Sequence, residues 1–184
     1  MQYAAVETSR HVDLMAVHIV IILAPFLAMP LAGWLGRRRF GSWLLAGVPA
    51  ALCAYFTYIF RVVTRDGAFS VTAPWASALN LSLSFRFDGL GLLFAVLITA
   101  IGTLIVIYGR TYLESHPDRA RFHVALFAFM GSMLGLVLSD NVLLLFVFWE
   151  LTGFTSFLLI GFEHDRPAAR RAATQALIVT GGGE

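Results

Sequence analysis

Five times along the chain, apolar residues run on for about 20 positions with hardly a charge among them. The runs are Ile19 to Leu35 (reaching back as far as Leu14), Phe40 to Phe60, Leu90 to Tyr108, Phe122 to Leu138 and Val142 to Phe162. A helix of that length crosses the ~30 Å hydrocarbon layer of a bilayer. Inside that layer every backbone N–H and C=O needs a partner within the segment, so such runs are helices. Pro25 and Pro30 are expected to kink the first. A sixth run begins near Ala172 and is cut off by Gly181-Gly182-Gly183-Glu184. Its roughly nine residues at ~1.5 Å each fall well short of a crossing. The expected fold is all-α: a polytopic membrane protein with five complete transmembrane helices and a truncated sixth.

Composition excludes the alternatives. Of 184 residues 59% are apolar and 13% charged, against about 25% charged in a soluble domain. Such a chain could not cover a globular surface with polar groups, which excludes a soluble enzyme and a disordered tail. Cys53 is the single cysteine, so neither a disulfide framework nor a thiolate metal site is available. Residues Met1 to Asp13 carry Glu7, Asp13 and one Arg10, a poor start for a cleaved signal peptide.

All 13 basic residues are arginine, and they sit in short clusters between the apolar runs. That is a topology signal rather than a nucleic-acid surface. Nine of them, Arg37, Arg38, Arg39, Arg110, Arg119, Arg121, Arg166, Arg170 and Arg171, follow the first, third and fifth runs. Arg10, Arg61, Arg65 and Arg86 fall on the other side. The positive-inside rule therefore puts the N-terminus outside and the first set in the cytoplasm. In the long outside loop, from Arg61 to Asp88, Leu81, Leu83, Phe85 and Phe87 alternate with Ser82, Ser84 and Arg86. This period of two predicts a strand or hairpin against the outer helix ends. The Ser139-Asp140-Asn141 turn is so short that the helices it joins must be antiparallel neighbours.

Glu150 stands near the centre of the fifth run, where no other ionisable residue lies so deep. A carboxylate there costs about 2.5–3.5 kcal/mol on insertion scales. Fourteen Leu, Ile, Phe and Val residues of the run contribute about 0.3–0.6 kcal/mol each, so the helix still inserts. A carboxyl poised between desolvation and a nearby cation can take up and release protons, as a relay in a pump or antiporter must. Gly153, one turn on, leaves room for a helix or water, and Thr152, Thr155 and Ser156 add hydroxyls that either line a path or bond back to their own helix. Gly131 and Gly135 form a small-xxx-small pair that reads as a packing face. His123 begins the fourth run, as an interfacial histidine or a proton-uptake site. Arg86 and Asp88 flank the start of the third run and read as structural, paired or capping. The five histidines show no ligand spacing, and no phosphate-binding loop, dinucleotide fingerprint or nucleophile elbow occurs, so neither a metal nor a cofactor is expected.

Phe85-Arg86-Phe87-Asp88-Gly89-Leu90-Gly91-Leu92-Leu93-Phe94, followed by Tyr108 and Tyr112, resembles the N-terminal signature of the superfamily that joins complex I chain 5 and the A-type subunit of Mrp antiporters. Phe148-Trp149-Glu150-Leu151-Thr152 with Ser156 to Phe162 resembles the helix that carries its essential glutamate. The stretch Glu163-His164-Asp165-Arg166-Pro167-Ala168-Ala169-Arg170-Arg171-Ala172 is similar to the A-type subunit of Mrp-type multisubunit Na⁺/H⁺ antiporters, whereas Gly153 follows the complex I pattern. The resemblance divides the chain into an N-terminal three-helix region, residues 1–121, and the start of the antiporter module, residues 122–184. It implies exchange of H⁺ for Na⁺ or K⁺, other antiporter subunits as partners, and a place in the cell membrane. In the family the proton path joins this glutamate to lysines on a later, broken helix. The chain has no lysine and ends before that helix, and Glu184 stands where apolar helix is expected. Alone it is expected to transport nothing. Two other readings are a fragment of a complex I chain 5-like proton pump and a non-transporting scaffold subunit.

Overall fold

The computed structural model describes residues 2–37, 41–76, 81–114 and 116–181, with the side chains of residues 2–14, Ser42, Ala76 and Leu81 left aside. Arg38, Arg39, Phe40, Gly182, Gly183 and Glu184 lie outside the described residues, as does the side chain of Arg10. The elements run α1 (Gln2–Leu35), α2 (Gly41–Asp66), β1 (Phe69–Ala76), β2 (Leu81–Phe87), α3 (Gly89–Tyr112), α4 (Arg119–Leu138), α5 (Val142–Ile160) and α6 (Pro167–Gly181). Five helices are long and apolar enough to cross a membrane, over Met15–Leu35, Trp43–Asp66, Gly89–Tyr112, Arg119–Leu138 and Val142–Ile160. The chain is a multi-pass helical membrane protein.

Most helices exceed their apolar runs. α1 passes through both Pro25 and Pro30 and extends back to Gln2. α6 begins at Pro167, so Arg170 and Arg171 lie within its first turns rather than in a loop as the sequence suggests. Proline at the first helical position lacks only an N–H that would be unpaired there, and its fixed φ favours the helix. α3 is capped by Asp88, whose Oδ1 accepts from the Gly91 N–H at 2.8 Å, and α5 by Asn141, whose Oδ1 accepts from the Leu144 N–H at 2.7 Å. Hydroxyls inside the spans bond back to their own helix, Thr99 to the Ala95 carbonyl at 2.7 Å and Ser132 to the Ala128 carbonyl at 2.9 Å. These bonds satisfy polar groups where water is absent.

Helix α4 is the axis of the bundle. It packs against α1, α3 and α5, while α2 lies along α3 and α6 along α5. In its most apolar window 61% of residues are buried, against 17% for α5, so α5 keeps an open face. Gly131 and Gly135 both allow close approach, but to different helices. A Cβ on Gly131 would lie 2.7 Å from the ring of Phe26 in α1, and one on Gly135 would overlap the ring of Phe148 in α5. The pair expected to form one packing face thus serves two, because residues four apart on a helix differ by about 40° in direction.

The alternating stretch forms β2, antiparallel to β1, with Phe69 opposite Phe87 and Val71 opposite Phe85. Val71, Phe85 and Phe87 turn inward and are buried; Arg86 is exposed and pairs with Asp88, Nε to Oδ2 at 3.5 Å. The hairpin is tied to the α4–α5 turn. Asp140 N–H donates to the Ser84 carbonyl at 2.9 Å, Asn141 Nδ2 to the Ser82 carbonyl at 3.1 Å, and Ser70 Oγ to Asp140 Oδ2 at 2.9 Å.

Two substitutions test this packing. Gly135→Ala should lower stability in detergent by about 1–3 kcal/mol, the usual range for overpacking, and Phe148→Leu in the same chain should recover part of it. Asn141→Ala removes the α5 cap and a hairpin bond together and should lose about 1–2 kcal/mol. Thermal unfolding followed by circular dichroism reads both, and an unchanged midpoint in either would contradict the packing described.

Candidate proton-handling site

Glu150 lies eight residues from Val142 and ten from Ile160, at the middle of α5. At ~1.5 Å per residue it is about 12 Å from the nearer helix end. Among the five membrane-spanning windows it is the one carboxylate away from a window end; Asp13 of α1 precedes the first window, and Asp66, Asp88, Glu114, Asp118 and Asp140 stand at helix ends or turns. Its side chain is exposed on the open face of α5, between Phe146 and Phe154 one turn away on either side and beside Trp149. The opposite face carries the buried Leu144, Phe148 and Thr155 and packs against α4. Phe148 is two residues from Glu150, about 200° round the helix, so the face that anchors α5 is not the one that presents the carboxylate.

The other proposed path residues are distributed around the helix. Gly153 meets α6: a Cβ there would sit 3.6 Å from Thr180 Oγ1. Gly161 approaches Ala173 in the same interface, so α6 runs antiparallel to α5 up to just below the level of Glu150. Thr152 is about 200° from Glu150 and Ser156 about 120°. Thr152 Oγ1 donates to the Trp149 carbonyl at 2.6 Å and Thr155 Oγ1 to that of Leu151 at 2.7 Å. Those two hydroxyls satisfy their own helix, and neither Thr152 nor Ser156 shares the face of Glu150.

His123, in the first turns of α4, faces the protein interior. It is 1% exposed, and its Nδ1–H donates to the Arg119 carbonyl at 2.7 Å. Nε2 is buried without a hydrogen-bond partner among the described residues. The sequence places His123 near a helix end but not on a helix side, and the side it takes is the interior one. Taking the Gly135–Phe148 contact as the register of α4 on α5 puts His123 about ten residues, or ~15 Å, below Glu150 along the axis. The structure does not bring the two together. Among the described residues no three His, Cys, Asp or Glu side chains gather to hold a metal.

Sequence reasoning passed over Asn141, although an asparagine directly before an apolar run is an N-cap signal. It also passed over Arg119 and Arg121. Arg119 Nη2 donates to the Arg37 carbonyl, tying the α1–α2 turn to α4, and Arg121 Nη1 donates to His164 Nδ1 at 3.2 Å, tying α4 to the α5–α6 turn. No local pattern marks such long-range ties.

The chain is of the class of multi-pass helical membrane proteins, and comparison with known proteins shows its relatives. Residues 75–123 match the family described as NADH-ubiquinone oxidoreductase (complex I), chain 5 N-terminus, and residues 139–184 that described as NADH:quinone oxidoreductase/Mrp antiporter, TM. The chain is 42% identical over 170 residues to the probable K⁺/H⁺ antiporter A/B subunit of Rhizobium meliloti, covering 88% of this chain and 17% of that protein. It is 38% identical over 165 residues to the A1 subunit of the Na⁺/H⁺ antiporter of Staphylococcus aureus, covering 89% of this chain and 21% of that one. A chain of the Mrp complex from Dietzia sp. DQ12-45-1b superposes with a TM-score of 0.77 at 29% identity, covering 90% of this chain and 18% of that chain. A chain of an archaeal membrane-bound sulfane sulfur reductase shares the fold, with a TM-score of 0.78 at 16% identity. The protein is therefore homologous to the A-type subunit of Mrp antiporters, and it spans about a fifth of the length of these curated relatives.

The His123 geometry is testable. A carbonyl only accepts, so Nδ1 must carry the proton. Nitrogen NMR of the ¹⁵N-histidine-labelled chain, with His123→Gln for assignment, should find this ring in the Nδ1–H tautomer; the Nε2–H form would contradict the buried contact.

Proposed function

We propose that the chain forms part of an antiporter subunit that exchanges protons for Na⁺ or K⁺ across the cell membrane, with Glu150 as a proton relay. The observation that carries this reading is the place of Glu150. A carboxylate at the middle of a membrane-length helix costs several kcal/mol of insertion energy, and such groups mark ion pathways. The antiporter proteins to which the chain is similar supply the ions; the residue supplies the proton site. Residues 1–121 serve as the N-terminal helical region and residues 122–184 as the start of the translocation module. The arginine-rich helix ends face the cytoplasm and the hairpin faces outside, following the distribution of positive charge.

Exchange on this reading belongs to the longer assembly. A relay carboxylate needs a second group to pass its proton to and two alternating half-channels. The relatives are several times longer than this chain, and their names describe subunits, so other membrane subunits complete the path. No chemical transformation of a substrate is assigned to these residues.

The test uses the sequence within an intact multisubunit antiporter reconstituted in vesicles. Glu150→Gln, which keeps size and removes the titratable proton, should lower cation-driven proton exchange by about a hundredfold or more, with assembly unchanged on native gels. Glu150→Asp should retain measurable exchange. Undiminished exchange in Glu150→Gln would overturn the relay and leave a scaffold role. Proton movement that requires quinone reduction would move the protein to the redox-driven branch.

A further inference from the structure

The ends of four helices meet on the arginine-rich side: α1 at Leu35, α2 at Gly41, α3 at Tyr112 and α4 at Arg119. At the α3–α4 turn there lies a cavity of about 130 Å³ lined by Arg110, Thr111, Glu114 and Arg119. Two guanidinium groups oppose one carboxylate, so the lining keeps a net positive charge. Arg37 adjoins it, because Arg119 donates to its carbonyl. Arg110 lies over the ring of Trp43, 4.8 Å from its centroid, a contact a guanidinium makes through its face rather than through its N–H groups.

The depth of this cavity is marked independently. Trp34, Trp43, Tyr108 and Tyr112 are all more than half exposed at the same end of the bundle, and Tyr108 stacks on Tyr112 with centroids 5.7 Å apart. Exposed Trp and Tyr at the ends of apolar spans settle at the headgroup layer. The cavity is thus cationic, placed at headgroup level, and continuous with apolar helix surface that acyl chains cover. Basic pockets between transmembrane helices at this level suit anionic lipid headgroups.

We infer that Arg110 and Arg119 form a binding site for the phosphodiester headgroup of an anionic phospholipid. The fork of Arg110 takes two phosphate oxygens, and Thr111 offers a hydroxyl beside them. Glu114 disfavours a second negative charge and so a small, highly charged free anion. The site is separate from the antiport reading and stands or falls without it.

Native mass spectrometry of the whole chain purified in detergent tests the inference, with phosphatidylglycerol and phosphatidylcholine of matched acyl chains as probes. The expected result is preferential retention of phosphatidylglycerol that weakens as salt rises, measured on the unaltered chain. Arg110→Gln, whose described contact is with Trp43, should reduce that retention about fivefold, the equivalent of ~1 kcal/mol per basic residue near a membrane surface. Arg65→Gln at the opposite end should leave it unchanged. Equal retention of the two lipids, or no loss in Arg110→Gln, would overturn the site. Displacement of phosphatidylglycerol by millimolar inorganic phosphate would also overturn it, as the mark of a free-anion site.

Discussion

Close approach to α4 is the interaction on which the rest of the bundle depends. Lipid tails are as apolar as leucine, so helices in a bilayer gain nothing by burying apolar area against one another rather than against lipid. They associate through packing, and packing improves when backbones come near. Gly131 admits the ring of Phe26 from α1 and Gly135 the ring of Phe148 from α5. Two glycines one turn apart therefore set the position of a helix on either side. The interior side of α4 is filled by Phe127, Met130, Leu134 and Leu138, all nearly inaccessible. His123 lies in that interior near the end of the same helix, its one described hydrogen bond made to its own turn.

The hairpin solves a different problem. The α4–α5 turn leaves backbone groups at Asp140 and a polar side chain at Asn141 that need partners, and β2 offers the Ser82 and Ser84 carbonyls to them. The inward side of the same strand sends Phe85 and Phe87 onto the helix ends. Alternation along seven residues thus serves two surfaces at once, apolar toward the bundle and hydrogen-bonding at its edge. At the other end the ties are side chain to backbone or ring, Arg119 to Arg37 and Arg121 to His164.

The spans were legible because a membrane helix writes its length and polarity directly into consecutive residues. Strand β2 was legible from its period of two; its partner was not, since the Val-Thr-Ala-Pro-Trp stretch of β1 is irregular in polarity. The depth of Glu150 was legible, because sequence position within an apolar run gives it. Its direction was not legible, nor was that of His123. Helix sides are assigned by neighbours, and the neighbours of α4 come from residues far away in sequence. The same limit explains why Thr152 and Ser156, close to Glu150 in number, do not share its face. It also explains why Gly131 and Gly135, one motif in sequence, separate into two contacts.

Asn141 has one more consequence. It caps α5 and is bonded to the hairpin, so the rotational phase of α5 is fixed at its first turn. Nine residues further on, about two and a half turns, that phase decides the compass bearing of Glu150. The carboxylate is aimed by a joint at the end of the span, about 13 Å from it along the helix axis. The hairpin serves as the fixed mount of the helix, and twisting α5 about its axis to redirect Glu150 means first undoing hydrogen bonds at its first turn.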